Sequence, residues 1–333
     1  GAIGRDLDSK ELSELIFLLQ SGSDRIGALD FQDSATEYMP RQADNATLEE
    51  LMESAKRVDT GVPLSADIDA ALQHGSAIGG ARPKALIEDD NKKFIAKFSA
   101  SNDLYSVVKA EFIAMRLAAR VGIDVAPVKL VEALGRDVLL IERFDRVKVA
   151  QDWQRKSMVS ALTLFGLDEM MARYASYEDL AEIIRTRFEE PKATLRELFA
   201  RLVFNILCGN IDDHARNHAA FWDGSALRLT PAYDICPQAR TGREASQAMI
   251  IQGNERASRL VHCIEASHHF LLKQKDAIEI IKNQLRIVRE NWDEVCADAQ
   301  LTDVDKNLFW GRQFLNPFAF EGLEGHATRL AEA

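Results

Sequence analysis

Ile211-Asp212-Asp213-His214-Ala215-Arg216-Asn217-His218 brings two carboxylates, two imidazoles and an amide together directly after an apolar helical run that ends in Cys208-Gly209-Asn210. Loops carried on rigid supports are where such side chains act. A solvated turn or a helix cap uses the same residue types, so the segment takes its meaning from what accompanies it. Farther along, Tyr233-Asp234-Ile235 flanks a third carboxylate with apolar residues in a β-like run. An unpaired charge is costly to bury there, and a bound cation removes that cost; a turn-capping Asp is the plain alternative. Phosphoryl transfer uses an Asp near the acceptor hydroxyl, an Asn about five residues on, and a second Asp that holds Mg²⁺ against the phosphates. Asp212, Asn217 and Asp234 have that order and spacing.

Upstream, Phe94-Ile95-Ala96-Lys97-Phe98 is a β-like run whose Lys97 is suited to α- and β-phosphates, and Glu111 on the next helix is a candidate to fix it as an ion pair. Gly75, Gly79 and Gly80 form a glycine loop ahead of that strand, where missing Cβ atoms let backbone N–H groups approach anionic oxygens. The loop matches neither the P-loop nor the dinucleotide-binding spacing. Leu139-Leu140-Ile141-Glu142-Arg143-Phe144-Asp145-Arg146 leaves an apolar strand for charged sequence and reads as a hinge whose backbone could meet adenine.

Periodicity divides the rest. Leu12, Leu15, Ile16 and Leu19 predict a helix from Ser9 stopped by Gly22, residues 26–31 a short strand, and residues 47–58 a helix capped by Asn45 or Thr47. Strands are expected at 84–88, 94–98, 128–133 and 138–144, with a long amphipathic helix over 104–121 between them. After Asp145 the strand signal nearly vanishes apart from residues 226–235, and helices are expected at 160–164, 177–186, 195–208 and 276–292. Strand-rich then helix-rich sequence means an α+β fold. The expected division is a leading subdomain over 1–72, a strand-rich lobe over 73–146 and a helical lobe over 147–333.

The 333 residues are enough for two lobes, and 47% hydrophobic with 28% charged residues is the balance of a folded globular chain. A net charge of −11 argues against broad electrostatic binding to nucleic acid. Cys208, Cys236, Cys263 and Cys296 include no C-x-x-C pair, so buried free thiols are expected rather than zinc or disulfides. No run reaches the length of a membrane helix and no signal pattern opens the chain, so a cytoplasmic, membrane-free setting is expected. The abrupt start at Gly1 leaves room for an upstream segment.

In order, Gly-Gly-Ala-Arg-Pro-Lys, Ile-Ala-Lys-Phe, Leu-Leu-Ile-Glu-Arg-Phe-Asp-Arg, Asn-Ile-Asp-Asp-His-Ala-Arg-Asn-His and Leu-Thr-Pro-Ala-Tyr-Asp-Ile resemble the HipA family, the toxin half of bacterial toxin–antitoxin pairs, over roughly residues 75–260. The resemblance implies a bilobal protein-kinase-like fold and a Ser/Thr protein kinase using ATP and Mg²⁺. In it Asp212 is the base, Asn217 and Asp234 hold the metal, Lys97 contacts ATP and His214 sits beside the phosphates. It also implies that the glycine-loop residues Ser76, Ala77, Gly79 and Gly80 cover the nucleotide. The backbone of Glu142 and Phe144 would meet adenine, with Asp145 near the ribose.

Family members phosphorylate translation components, notably aminoacyl-tRNA synthetases, and halt growth. Their partner is a small helix-turn-helix antitoxin of the HipB kind, so DNA association would be indirect. Two departures stand out. The N-terminal module of longer members is missing, and the loop serine that the family autophosphorylates aligns with Ala77, leaving Ser76 as the candidate. A phosphate there would be repelled by those of ATP. A kinase-fold enzyme acting on a small-molecule alcohol and a catalytically silent binding module are the competing readings, the intact Asp212/Asn217/Asp234 set disfavouring the second.

Overall fold

The computed structural model describes residues 14–20, 22–41, 46–47, 84–89, 91–99, 103, 105–133, 136–240 and 242–323. The glycine loop, with Ser76, Ala77, Gly79 and Gly80, and residues 48–58 of the expected helix lie outside them, while Thr47 ends a two-residue strand instead of opening a helix. The chain divides into two units, one running through Asp103 and resuming over Val128–Met158, the other made of the stretch up to Pro127 and everything from Val159.

The first unit is built on a five-stranded sheet in the order Ala46–Thr47, Lys84–Asp89, Lys92–Phe98, Arg136–Glu142, Val128–Ala133. The first pair is parallel and the others antiparallel. Strand side chains alternate between faces. Ala85 and Ile87, Phe94, Ala96 and Phe98, and Val138 and Leu140 therefore pack as one apolar layer. Lys97, one residue from Ala96 and opposite Leu139 in the register, is carried to the other face of the sheet and is buried there.

The second unit is mainly helical. Tyr177–Arg187, Pro191–Cys208, Leu260–Ala266 and Gln274–Asp298 share a core. In the Pro191–Cys208 helix Leu195, Leu198, Phe199, Leu202, Val203 and Ile206 recur at helical spacing and are all buried. Pro191 sits in its first turn, where a missing N–H costs nothing. The Tyr177–Arg187 helix opens on Ser176, whose Oγ accepts from the Asp179 amide at 2.9 Å and donates to the Asp179 carboxylate at 2.7 Å.

The long helix read over 104–121 spans Val107–Arg120 and belongs to this second unit. Arg120 pairs with Glu294 through both guanidinium nitrogens, and Arg116 pairs with Asp298 at 3.3 Å, both partners lying on the Gln274–Asp298 helix.

Three strand expectations are corrected. Residues 26–31 form no strand, because Gly27 takes φ +76 and its N–H and C=O bond side chains instead of a ladder. Within 226–235 only Leu227–Leu229 is a strand, joined to Ala219–Trp222 and Met158–Ser160 in a three-stranded sheet. Past Asp145 the chain also makes a hairpin, Arg146–Val149 with Asp152–Arg155. Its turn carries Ala150 at φ +54 where Asn or Gly is the usual residue, so the common hairpin signature is missing.

Candidate active site

The 209–218 loop starts where the Pro191–Cys208 helix is forced to stop. Gly209 adopts φ +72, and a Cβ at this position would stand 2.5 Å from the Gln313 carbonyl oxygen, so only glycine fits. The loop is then tied down along its length by backbone bonds. Gln238 donates to the Gly209 carbonyl at 3.0 Å, Ala248 to Ile211 at 3.0 Å, Leu162 to Ala215 at 3.2 Å and Ala161 to His218 at 2.7 Å. Asn217 closes it internally, its amide donating to His214 O at 2.8 Å and its side chain to Asp212 O at 3.4 Å.

This frame separates two adjacent carboxylates. Asp212 is exposed, whereas Asp213 is 3% exposed. The Tyr177 hydroxyl donates to Asp213 Oδ2, and His218 Nε2 lies 3.1 Å from each carboxylate oxygen. Burial by itself would raise the Asp213 pKa, but His218, Tyr177 and His214 hold it below the usual carboxylate range. Burial and the Asp213 charge push the Tyr177 phenol well up, so it stays a donor. Asn205 bonds the same phenol oxygen and accepts from the Asn210 side chain at 3.0 Å. The Tyr177 and His218 rings meet edge to face with centroids 5.5 Å apart. The bonds that Tyr177, His218 and Asn205 make around Asp213 in a low-dielectric interior favour one geometry for the loop above them.

Asp234 reaches the same loop by another route. Val125 and Ala232 form a parallel bridge, with Ala232 N–H donating to Asp124 at 2.7 Å and Ala126 N–H to Ala232 at 2.9 Å. Next in sequence, the Tyr233 hydroxyl donates to the Arg216 carbonyl at 2.7 Å. Burial first, then the adjacent Asp234 charge, raise the Tyr233 phenol. Asp234 itself adopts φ +59, a left-handed conformation uncommon outside glycine that concentrates at functional positions. Asp212, His214, Asn217 and Asp234 are thus all held in the second unit by a shared set of bonds. His214 Nδ1 is buried with no hydrogen-bond partner among the described residues, a polar atom suited to an incoming anionic group.

Among the described residues, the remaining candidates Lys97, Glu142, Phe144 and Asp145 lie in the first unit, and Glu111 is buried in the second. Glu142, at the end of its strand, pairs with Lys92 at 2.6 Å, and Phe144 follows in a turn. Asp145 is 2% exposed and its carboxylate is engaged on both oxygens. Arg143 donates from Nε to Oδ1 at 3.0 Å and from Nη2 to Oδ2 at 2.9 Å; Arg146 Nη1 and the Gly27 amide each approach Oδ2 at 2.7 Å. These bonds tie Asp145, the residue that the family resemblance puts near the ribose, to both arginines and to Gly27.

Tyr177, Asp213, His218 and Asn205 were missed as a set. The legible signal was Asn205, one polar residue inside Leu202-Val203-Phe204-Asn205-Ile206-Leu207-Cys208, since a buried amide requires a partner. Among the described residues no group of three or more His, Cys, Asp or Glu side chains assembles to hold a metal ion, and no helix is long and apolar enough to cross a membrane. Asn217 with Asp234 offers one amide and one carboxylate, a hard-oxygen pair suited to Mg²⁺ shared with phosphate oxygens.

Comparison with known proteins accords with this geometry. The Ser/Thr kinase toxin HipA of Shewanella oneidensis is 26% identical over 186 residues, 48% of this chain and 42% of that protein. The solved complex of HipA, HipB and operator DNA from Shewanella oneidensis MR-1 superposes with a TM-score of 0.70 at 21% identity, over 92% of this chain and 78% of that one, which establishes a shared kinase-like α+β fold. The aligned parts span 31% to 53% of the curated relatives' own lengths. The family model for the HipA-like C-terminal domain matches residues 76–292, about two thirds of the sequence and including the whole 209–218 loop and Asp234, and the chain therefore belongs to the HipA family.

Proposed function

We propose that this chain is an ATP-dependent protein kinase that transfers the γ-phosphoryl group to a Ser or Thr hydroxyl. The observation that carries the reading is the convergence of an exposed Asp212, Asn217 five residues on, and a left-handed Asp234 roped to the same loop through Tyr233 and Arg216. Asp212 accepts the proton of the attacking hydroxyl, and its exposure leaves it open to a macromolecular acceptor. Asn217 and Asp234 hold Mg²⁺, which when bound neutralises charge on the β- and γ-phosphates. Lys97 is assigned to the α- and β-phosphates, and His214 offers a phosphate oxygen a nitrogen that is unpartnered among the described residues. The glycine loop with Ser76, Ala77, Gly79 and Gly80 covers the phosphates, and Ser76 is the autophosphorylation candidate. The backbone of Glu142 and Phe144 receives adenine while Asp145 keeps that turn in shape.

Similarity to a HipA solved with HipB and operator DNA supports a HipB-like antitoxin as partner; the target we propose, on the family resemblance alone, is a translation component such as an aminoacyl-tRNA synthetase. The test is incubation of the purified chain with γ-labelled ATP and a bacterial lysate, beside Asp212→Asn. Wild type should label protein bands; Asp212→Asn should label none yet still bind Mg²⁺-ATP, whereas Asp234→Ala should lose that binding. Label confined to small molecules, or equal labelling by Asp212→Asn, refutes the reading.

A further inference from the structure

The chain's leading segment makes a contact at residues 24–27 that the phosphotransfer reading does not use. Asp24 projects its carboxylate into the cations around the Glu142–Arg146 turn. Lys93 Nζ lies at 2.8 Å from Oδ2; Arg143 Nη1 at 3.0 Å and Arg146 Nη2 at 2.8 Å share Oδ1. The backbone beside it is used as well. The Arg25 carbonyl accepts from Arg143 Nη2 at 2.9 Å and from Arg146 Nη2, and the Gly27 carbonyl accepts from Arg146 Nη1 at 3.0 Å and Arg155 Nε at 3.1 Å. In return the Gly27 amide donates to Asp145 Oδ2 at 2.7 Å. Gly27 manages this only by adopting φ +76, with Met158 Cγ 3.1 Å from where a Cβ would sit.

Charge makes the arrangement interdependent. Arg143 and Arg146 are both buried and repel each other, and Asp145 alone cannot neutralise two guanidinium groups. Asp24 supplies the second negative charge, and breaking a buried set by removing one partner leaves an uncompensated cation. Residues 24–27 thus compensate charge on a turn whose backbone is also tied by Arg143 N–H to the Lys93 carbonyl at 2.8 Å and Lys156 N–H to the Asp145 carbonyl at 2.9 Å. All these contacts lie within the first unit.

We propose that Asp24, with the Arg25–Gly27 backbone, is a positioning element of the adenine subsite, so that the leading segment governs recognition of the nucleotide base while leaving the phosphate contacts alone. The proposal rests on the assignment of adenine to the Glu142 and Phe144 backbone made above. A positioning role predicts a selective defect. Asp24→Asn should raise the KM for ATP about 2- to 30-fold, with kcat at saturating ATP unchanged, the range expected for a coupled residue that does not touch the ligand. Preference for ATP over GTP should shrink, and tripolyphosphate should bind as it does to wild type. Asp30→Asn, which loses a 3.0 Å pair to Arg41 elsewhere in the same segment, should keep the wild-type ATP-to-GTP ratio.

Linkage supplies a readout on the unaltered protein: base binding must stabilise the docked segment as much as docking favours the base. Amide hydrogen exchange at residues 25–27 should slow on adding ATP and stay unchanged on adding tripolyphosphate. An unchanged ATP-to-GTP ratio in Asp24→Asn, or slowing by tripolyphosphate equal to that by ATP, overturns the proposal. Wild-type protein that binds neither nucleotide overturns the phosphotransfer reading and this proposal with it.

Discussion

Replacing Tyr177 with phenylalanine deletes one oxygen from the centre of the buried node beneath the 209–218 loop and leaves the ring in place. The lost hydroxyl donates to a wholly buried, ionised Asp213 and is bonded by Asn205. A hydrogen bond to a charged group contributes about 1.5–3 kcal/mol, and the Asn205 donor left behind adds part of its desolvation cost, so the expected loss is about 2–4 kcal/mol. Because the ring survives, cavity formation adds little. In a unit of this size each kcal/mol is about 2–4 °C, which places the fall in Tm at about 4–16 °C.

The effect must depend on pH. The pKa of Asp213 is depressed in the folded state, so its contribution to stability is complete above the ordinary carboxylate value of 3.8 and is lost as pH falls through the folded value. Removing the Tyr177 donor raises that folded value, so the acid-dependent loss, which begins at the unfolded-state value in both proteins, should be smaller and end at a higher pH in the variant. Once both proteins carry a protonated Asp213 the gap between them should narrow. Thermal unfolding followed by circular dichroism from about pH 8 to about pH 3 tests both statements. A loss below about 0.5 kcal/mol, the range of ordinary surface substitutions, or a gap that stays constant down to acid pH would refute the idea that Tyr177 holds an ionised Asp213.

Gly209→Ala should destabilise the helix-to-loop junction by about 1–3 kcal/mol, since it forces a non-glycine residue into a left-handed position. Its Cβ also meets the Gln313 carbonyl, so the added strain should appear as a lower Tm together with reduced phosphotransfer, and an unchanged Tm would contradict the close approach. Thiol titration should find Cys236 reacting first, because it alone of the four free cysteines is not buried. Burial pushes the Cys208 and Cys296 thiols up to about 12, so they should react with a disulfide reagent only after denaturant is added. Rapid native-state labelling of Cys208 would count against the packing at the helix terminus.

Local pattern carried much of the fold. The short β-like runs at Lys84–Asp89 and Lys92–Phe98 and the helical recurrence in Pro191–Cys208 are set by near neighbours, and both were legible. The Arg146–Val149 and Asp152–Arg155 hairpin was not, since Ala150 does the work of a turn glycine and the exposed Val147 and Val149 invert the usual alternation. Residues 26–31 failed for the opposite reason: their β-like composition was overruled by side chains far along the chain that claim the Gly27 backbone.

From the order of its residues alone, the chain declared an α+β kinase-like architecture and nominated Asp212, Asn217 and Asp234, because residue type and spacing along one backbone are enough to mark such a set. Which of two neighbouring aspartates is open to an acceptor and which is sealed under the loop was decided only in three dimensions. Tyr177 meets Asp213 across 36 positions, and Asp24 meets Arg143 and Arg146 across 119 and 122. Burial and charge compensation depend on what the folded chain brings alongside a group, and no short window of sequence contains that information.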